Sequence, residues 1–229
     1  MNPKSVLHGQ NQLSYKSGSV ELFAIERTSA TSDLQRRMIY RDLKTSEYDL
    51  LKEFLYNAIY IPEGVDPPGK EIVEQPELAL YYEGFGTGKA DRCIVAEDAG
   101  KVVGAVWTRI MDDYGHVDDD TPSFAISLLN DYRSKGIGTQ LMMKMLLRLK
   151  ENGFEKASLA VQKANYAVHL YEKVGFKVND ENAEEYIMIC DLRQSVHEEK
   201  GPVALLAPRF YFLRFKAPHC WGLFQHIPY

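Results

Sequence analysis

The amino-acid sequence predicts a mixed α/β domain, and three observations carry that prediction. Leu141, Met142, Met145, Leu146 and Leu149 recur at the spacing of one helical face, with Lys144, Arg148 and Glu151 opposite them. Two short apolar runs, residues 124–129 and 157–161, each lead into a helical stretch and read as buried strands. Residues 92–97 and 101–109 read as the arms of a hairpin turning on Asp98-Ala99-Gly100. Helices alternating with strands in this way argue a sheet that packs against helices.

The elements follow in order. Residues 1–37 are polar, serine-rich and weakly periodic, a composition expected of a poorly ordered N-terminal extension; only 20–25 reads like a strand. Met38-Ile39-Tyr40-Arg41 reads as the first strand of the domain. Within 45–59, Leu50, Leu51, Phe54, Leu55 and Ala58 fall at helical spacing, with Thr45 or Ser46 available as cap. Residues 61–69 hold too much proline and glycine to continue that helix. A second short helix is expected over 75–85, ended by the glycine-rich loop 84–88. The long helix beside Gly136-Ile137-Gly138 stops at Gly153, which suits a left-handed residue. A further helix is expected over 165–176 and a final strand over 185–192.

Beyond residue 192 the composition changes abruptly. Residues 193–229 are dense in aromatics, prolines and basic side chains without any period, a tail of unknown role that would promote association, a homodimer included.

Composition bounds the function. The chain has 229 residues, 27 basic against 32 acidic, and a net charge of −5, which argues against a general nucleic-acid binder. Cys93, Cys190 and Cys220 are odd in number and widely spaced, showing neither a disulfide framework nor metal-ligand spacing; a reducing cytoplasm suits them. No apolar run approaches the roughly 20 residues of a membrane span, and no signal-peptide core opens the chain. The expectation is therefore a cytoplasmic protein with no membrane or nucleic-acid partner.

The chemically suggestive stretch is the turn Arg133-Ser134-Lys135-Gly136-Ile137-Gly138-Thr139. A helix start exposes unpaired N–H groups and the positive end of the helix dipole, and glycines let a ligand approach them. The product is an anion site shaped for a diphosphate, to which Arg133, Lys135 and the Thr139 hydroxyl add charge and hydrogen bonds. A dinucleotide fingerprint would need a third glycine where Leu141 stands, and the lysine and hydroxyl of a Walker A loop are missing. The bland alternative is a turn that merely joins strand to helix.

Arg133-x-x-Gly136-x-Gly138, followed 27 residues later by Asn165 and then by Leu170-Tyr171-Glu172-Lys173-x-Gly175-Phe176, closely resembles the GNAT superfamily of N-acetyltransferases. The resemblance covers residues 38–192 and implies the GNAT fold: a central, mostly antiparallel mixed sheet, its fourth and fifth strands splayed, with helices on both faces. It implies acetyl-CoA as cosubstrate and no metal. The backbones of Ile126, Ser127 and Leu128 are expected to pair with the pantetheine arm, and a backbone N–H of Leu128 or Leu129 to stabilise the oxyanion. The diphosphate falls to Arg133, Ser134, Lys135, Gly136, Ile137, Gly138 and Thr139. Asn165 would hold the cofactor, serve as an ordinary N-cap, or both.

Tyr171 matches the family's general acid. It lies six residues beyond Asn165, roughly 9 Å along a helix, and a phenol of pKa about 10 is protonated at neutral pH yet able to protonate a thiolate. The expected reaction is acetyl transfer to a primary amine, on a small molecule or a peptide. Runner-up readings are a catalytically silent acyl-CoA sensor and an enzyme for protein N-termini or lysines. Ala160 departs from the glutamate base that some members carry on the fifth strand. Asp120, with His116 as fallback, is the substitute expected from the acidic loop 111–120. That loop also reads as simple solvated charge, or as an attractor of a cationic amine, and lacks metal-ligand spacing. Tyr56, Tyr60, Tyr81, Tyr82 and Phe85 read as helix–sheet core or as an aromatic wall around the acceptor.

Overall fold

The computed structural model describes residues 33–61, 64–113 and 115–193. Nearly all of the expected extension 1–37, and the tail from 194 onward, lie outside them. The chain divides between Arg36 and Arg37, and every described strand belongs to the second unit.

Among the described residues, seven strands form one sheet: β1 (Ile39–Asp42), β2 (Arg92–Asp98), β3 (Lys101–Arg109), β4 (Ser123–Leu128), β5 (Lys156–Gln162), β6 (Phe176–Glu181) and β7 (Glu185–Asp191). Their order is β1-β2-β3-β4-β5-β7-β6, antiparallel throughout except between β4 and β5. Residues 33–37 are helical, and the helices that follow β1 are α1 (Leu50–Ala58), α2 (Pro76–Ala79), α3 (Ile137–Glu151) and α4 (Ala167–Lys173).

Strand alternation sets the two faces. Val95, Ala105, Trp107 and Ala125 join Leu51, Phe54 and Leu55 of α1 in one apolar core. Thr108, next to Trp107, points the other way and lies 4.0 Å from the Met145 sulfur of α3. The apolar stripe of α3, Leu141, Met142, Met145, Leu146 and Leu149, is accordingly fully buried on that second face. The sheet is thus covered by helices on both sides, as the family resemblance implied.

Three elements differ from expectation. The helix anticipated over 45–59 breaks into a 3-10 turn, Thr45–Glu47, and α1; the Glu47 carboxylate caps the Lys44 N–H at 3.0 Å, so neither Thr45 nor Ser46 is the cap. The helix anticipated over 75–85 closes after α2 because its later carbonyls are claimed by side chains. Trp107 Nε1 donates to the Tyr81 carbonyl at 3.1 Å, and Arg109 donates to those of Leu80 and Glu83, both at 2.7 Å. Finally, α4 ends at Lys173, and Gly175 at φ +105° turns the chain into β6. That edge strand is exposed beyond Phe176 and lacks the alternating apolar pattern that would have announced it.

The feature that positions the site is the meeting of β4 and β5. They share a single register pair, Ser123 with Ser158, where the Ser158 N–H donates to the Pro122 carbonyl at 2.9 Å. Past that point β4 stays with β3 and β5 with β7 along their whole lengths, so the sheet opens into a split.

The first strand is clamped by charge. Arg41 donates to both Glu47 oxygens at 2.7 and 2.8 Å and to Glu97 at 2.7 Å, joining β1, β2 and the approach to α1. The Arg41 hydrogen bonds, then the Lys44 N–H, pull the Glu47 carboxyl down to about 2. A depressed acid stabilises the fold above its ordinary pKa, and that contribution is lost as pH falls through the folded value. Glu47→Gln is expected to cost about 1 kcal/mol at neutral pH in urea unfolding. The gap should close as pH falls from 4.5 toward about 2; a gap independent of pH would mean that the ion pair is not its source.

Candidate active site

The split exposes backbone. Along β4 the Pro122 carbonyl points to β5 and the Leu129 N–H to the Val103 carbonyl on the β3 side, 2.9 Å away. The two-residue period of a strand then aims the backbone groups of Ile126 and Leu128 into the split and those of Ser127 toward β3. Leu129 is thereby removed as an oxyanion donor, which leaves Leu128. The Leu128 carbonyl is already held by Arg133 Nε at 2.9 Å. Ser127 differs from expectation: its backbone faces β3, and among the described residues its buried hydroxyl has no hydrogen-bond partner.

At the open end of the split stands the start of α3. Gly136 is its N-cap, at φ +78°, and no side chain caps the helix, so the first N–H groups point outward unclaimed by helical carbonyls. Ser134 is also left-handed, at φ +65°, a conformation that strains a residue bearing a Cβ. Two left-handed residues so close together curl the turn into a concave run of N–H groups that suits an anion. Arg133 spends its guanidinium on structure, bonding Leu128 and reaching the Asn57 carbonyl of α1 at 3.5 Å. Lys135 lies over the Tyr132 ring at 5.6 Å, and Tyr132 donates to Asp98 at 3.0 Å, tying the turn to the β2–β3 hairpin. Thr139 is half-buried in the first turn of α3.

Across the split, Asn165 opens α4. Its Oδ1 accepts the Ala167 N–H at 2.9 Å, a capping bond, while its buried Nδ2 has no partner among the described residues. Tyr171 is fully buried, packed edge-on to Phe176 at 6.1 Å, which in turn packs against Phe124 of β4 at 5.6 Å. This aromatic chain sets the tyrosine between α4 and the strand that lines the split.

The β3–β4 loop fills the foot of the split. Gly115 sits there so closely that a Cβ would lie 3.1 Å from the Leu159 Cα, 3.1 Å from Ser123 Oγ and 3.2 Å from the Ala160 nitrogen. Asp113 is half-buried beside it, accepting from Tyr81 Oη at 2.7 Å and Ser123 Oγ at 2.8 Å. Burial raises its carboxyl above the usual aspartate value, more than the Tyr81 and Ser123 hydrogen bonds lower it. Asp120 is not part of this group. Its side chain is 91% exposed and bonded to Lys89 at 2.7 Å, before β4 begins and away from the open end. His116 turns to the Met111 carbonyl at 3.1 Å. Of the aromatic concentration, Tyr81 and Phe85 belong to the α1 core, while Tyr56 and Tyr82 pack against it and tie down the carbonyls of Pro68 and Val73.

Comparison with known proteins decides the family. Residues 54–176, more than half of the chain, match the model of the acetyltransferase (GNAT) family. The chain belongs to the GNAT acetyltransferase family. It is 33% identical over 86 residues to mycothiol acetyltransferase of Propionibacterium freudenreichii, covering 37% of this chain and 27% of the relative. It is 39% identical over 62 residues to the [ribosomal protein bS18]-alanine N-acetyltransferase of Haemophilus influenzae, covering 27% of this chain and 42% of the relative. These matches therefore span less than half the length of either relative. The fold resembles the PaiA N-acetyltransferase of Thermoplasma acidophilum solved with coenzyme A, at TM-score 0.50 and 19% identity over 67% of this chain and 98% of that one. An N-acetyltransferase from Staphylococcus aureus Mu50 gives TM-score 0.50 at 18% identity, over 68% and 98%.

This GNAT domain brings the turn 133–139, the Ile126 backbone and the Leu128 N–H, Asn165 and Tyr171 to the split, and leaves Asp120 outside it. The residues that sequence reasoning missed are Asp113, Gly115, Ser123 and Ser158. Their signal was faint: one aspartate among five in the loop, and two serines inside otherwise apolar strands. Two substitutions test the turn. Ser134→Gly relieves about 1–2 kcal/mol of left-handed strain and adds roughly 0.5–1 of unfolded-state entropy, so urea unfolding should show a net gain of about 0.5 kcal/mol. Gly136→Val should abolish acetyl-CoA binding in calorimetry; unchanged affinity in a folded variant would remove the turn from the site.

Proposed function

We propose that this domain transfers the acetyl group of acetyl-CoA to a primary amine by direct attack, with Tyr171 as general acid. The observation that carries the reading is convergence: an uncapped helix start, unpaired strand backbone and the Asn165–Tyr171 helix all border one split. The residues fit the cosubstrate. Asn165 Nδ2 and Ser127 Oγ are buried polar atoms without partners, and a polar arm threading the split would give such atoms something to bond. Acetyl-CoA supplies an activated thioester and a thiolate leaving group.

In this reading the N–H groups of 136–139, with Lys135, hold the diphosphate. Ile126 and Leu128 act as a strand edge for the pantetheine arm, and the Leu128 N–H is a preorganised donor to the oxygen that gains charge during attack. Arg133 keeps Leu128 in place rather than meeting phosphate. Tyr171 donates its proton to the departing sulfur and regains one from the amine or from solvent. The acceptor is a small amine or a peptide N-terminus, the latter in line with the alanine N-acetyltransferase among its relatives. Among the described residues no helix is long and apolar enough to cross a membrane. The free thiols of Cys93 and Cys190 suit a cytoplasmic setting.

Ala160, where a carboxylate base would serve, favours a second reading, an acyl-CoA-binding sensor without turnover. Release of CoA thiol with ethanolamine, benzylamine, spermidine and an N-terminal alanyl peptide separates the two. Tyr171→Phe is then expected to lower kcat about 100-fold while leaving the acetyl-CoA Kd unchanged. Turnover equal to wild type would assign the proton to another donor, and binding without turnover by any of the four amines would support the sensor.

A further inference from the structure

We propose that Asp113 holds the proton lost by the attacking amine, and that the proton reaches it through the hydroxyls of Ser158 and Ser123 at the foot of the β4–β5 split. The inference rests on the acetyl-transfer reading above. An alkyl amine arrives mostly as ammonium and attacks only after losing a proton. Ala160 has no group to take it, and Asp120 faces solvent against Lys89.

The geometry offers a route. Ser123 and Ser158 are the one register pair of the two strands, their hydroxyl oxygens 3.3 Å apart, and Ser123 Oγ donates to Asp113 Oδ1 at 2.8 Å. Both serines are fully buried, so the route is shielded from bulk water. Ser158 and Ala160 share one face of β5 and lie roughly 7 Å apart at the rise of a strand. The relay therefore opens next to the position where a glutamate would have stood. Gly115 lets the loop lie close to β5, where a side chain would press against Leu159, Ala160 and Ser123, and Asp113 enters two residues before it.

The step balances. The ammonium N–H bond breaks as Ser158 Oγ takes the proton and passes its own to Ser123 Oγ, whose hydrogen moves to Asp113 Oδ1. An ammonium and a carboxylate become an amine and a carboxylic acid, and the proton later leaves to solvent. Burial favours the neutral acid, which makes the carboxylate a stronger base than an exposed aspartate. Among the described residues the titratable groups facing it are Tyr81, from the segment after α2, and His116, from its own loop; β4 and β5 face it with serines.

The test uses the full chain and the four amines named above. Asp113→Asn should lower kcat/KM about 100-fold at neutral pH, remove the acid limb of the pH profile, and recover as pH rises toward the amine's own pKa. Ser158→Ala should show the same pattern with a smaller deficit, and it keeps the test open if the first variant fails to fold. Acetyl-CoA affinity should stay unchanged in both. A deficit equal at every pH, or a profile that does not move, overturns the proposal.

Infrared titration of wild type minus Asp113→Asn reads the carboxyl directly, whether or not an amine is turned over. Protonation above the ordinary aspartate range supports the proposal, and protonation within it overturns the proposal. Failure of wild type with every amine counts separately, against the acetyl-transfer reading.

Discussion

The structure turns on a missing ladder. β4 and β5 pair once, at Ser123 and Ser158, and then separate while each keeps its other neighbour. Buried backbone N–H and C=O groups cost free energy when they go unsatisfied, so a sheet that opens in its middle needs something to fill the gap. At the foot the protein supplies its own filler, the loop carrying Asp113 and Gly115. Toward the open end Ile126 and Leu128 are left with backbone directed into the split, where Arg133 answers the Leu128 carbonyl.

The rest of the domain can be understood as holding that gap open. α1 and α3 clamp β2–β4 from opposite faces, and Arg133 bridges the end of β4 to α1. Tyr132 and Asp98 fasten the turn before α3 to the neighbouring hairpin. Ser134 is kept left-handed at a cost of about 1–2 kcal/mol, the kind of local strain that surrounding structure sustains where a loop must present its backbone to a ligand. Phe124, Phe176 and Tyr171 form an apolar strut on the α4 side, so the two halves of the sheet are splayed but not loose.

Much of this was legible in the sequence, for identifiable reasons. The stripe of α3 and the apolar strands announce themselves because burial imposes a period. The turn and the Asn165–Phe176 segment carry a family resemblance that fixes the topology. What escaped was decided by tertiary contact. Nothing local shows that Trp107 and Arg109 will claim the carbonyls after α2, or that Arg133 will bond the Leu128 carbonyl. Asp113 and Asp120 look alike in an acidic run; tertiary contacts with Tyr81 and Ser123 draw the first in and leave the second in water. The β6 strand is missed for the converse reason, since an exposed edge needs no apolar alternation.

Central to the proposed function is that the Ile126 backbone and the Leu128 N–H are open to acetyl-CoA. Amide hydrogen exchange, resolved by residue and measured with and without acetyl-CoA, tests it most directly. The expected result is rapid exchange at Ile126 and Leu128 in the free protein and strong protection on binding, against constant protection at Ser127 and Leu129, whose N–H groups face β3. Slow exchange at Ile126 and Leu128 without ligand, or no change when acetyl-CoA binds, would contradict the account.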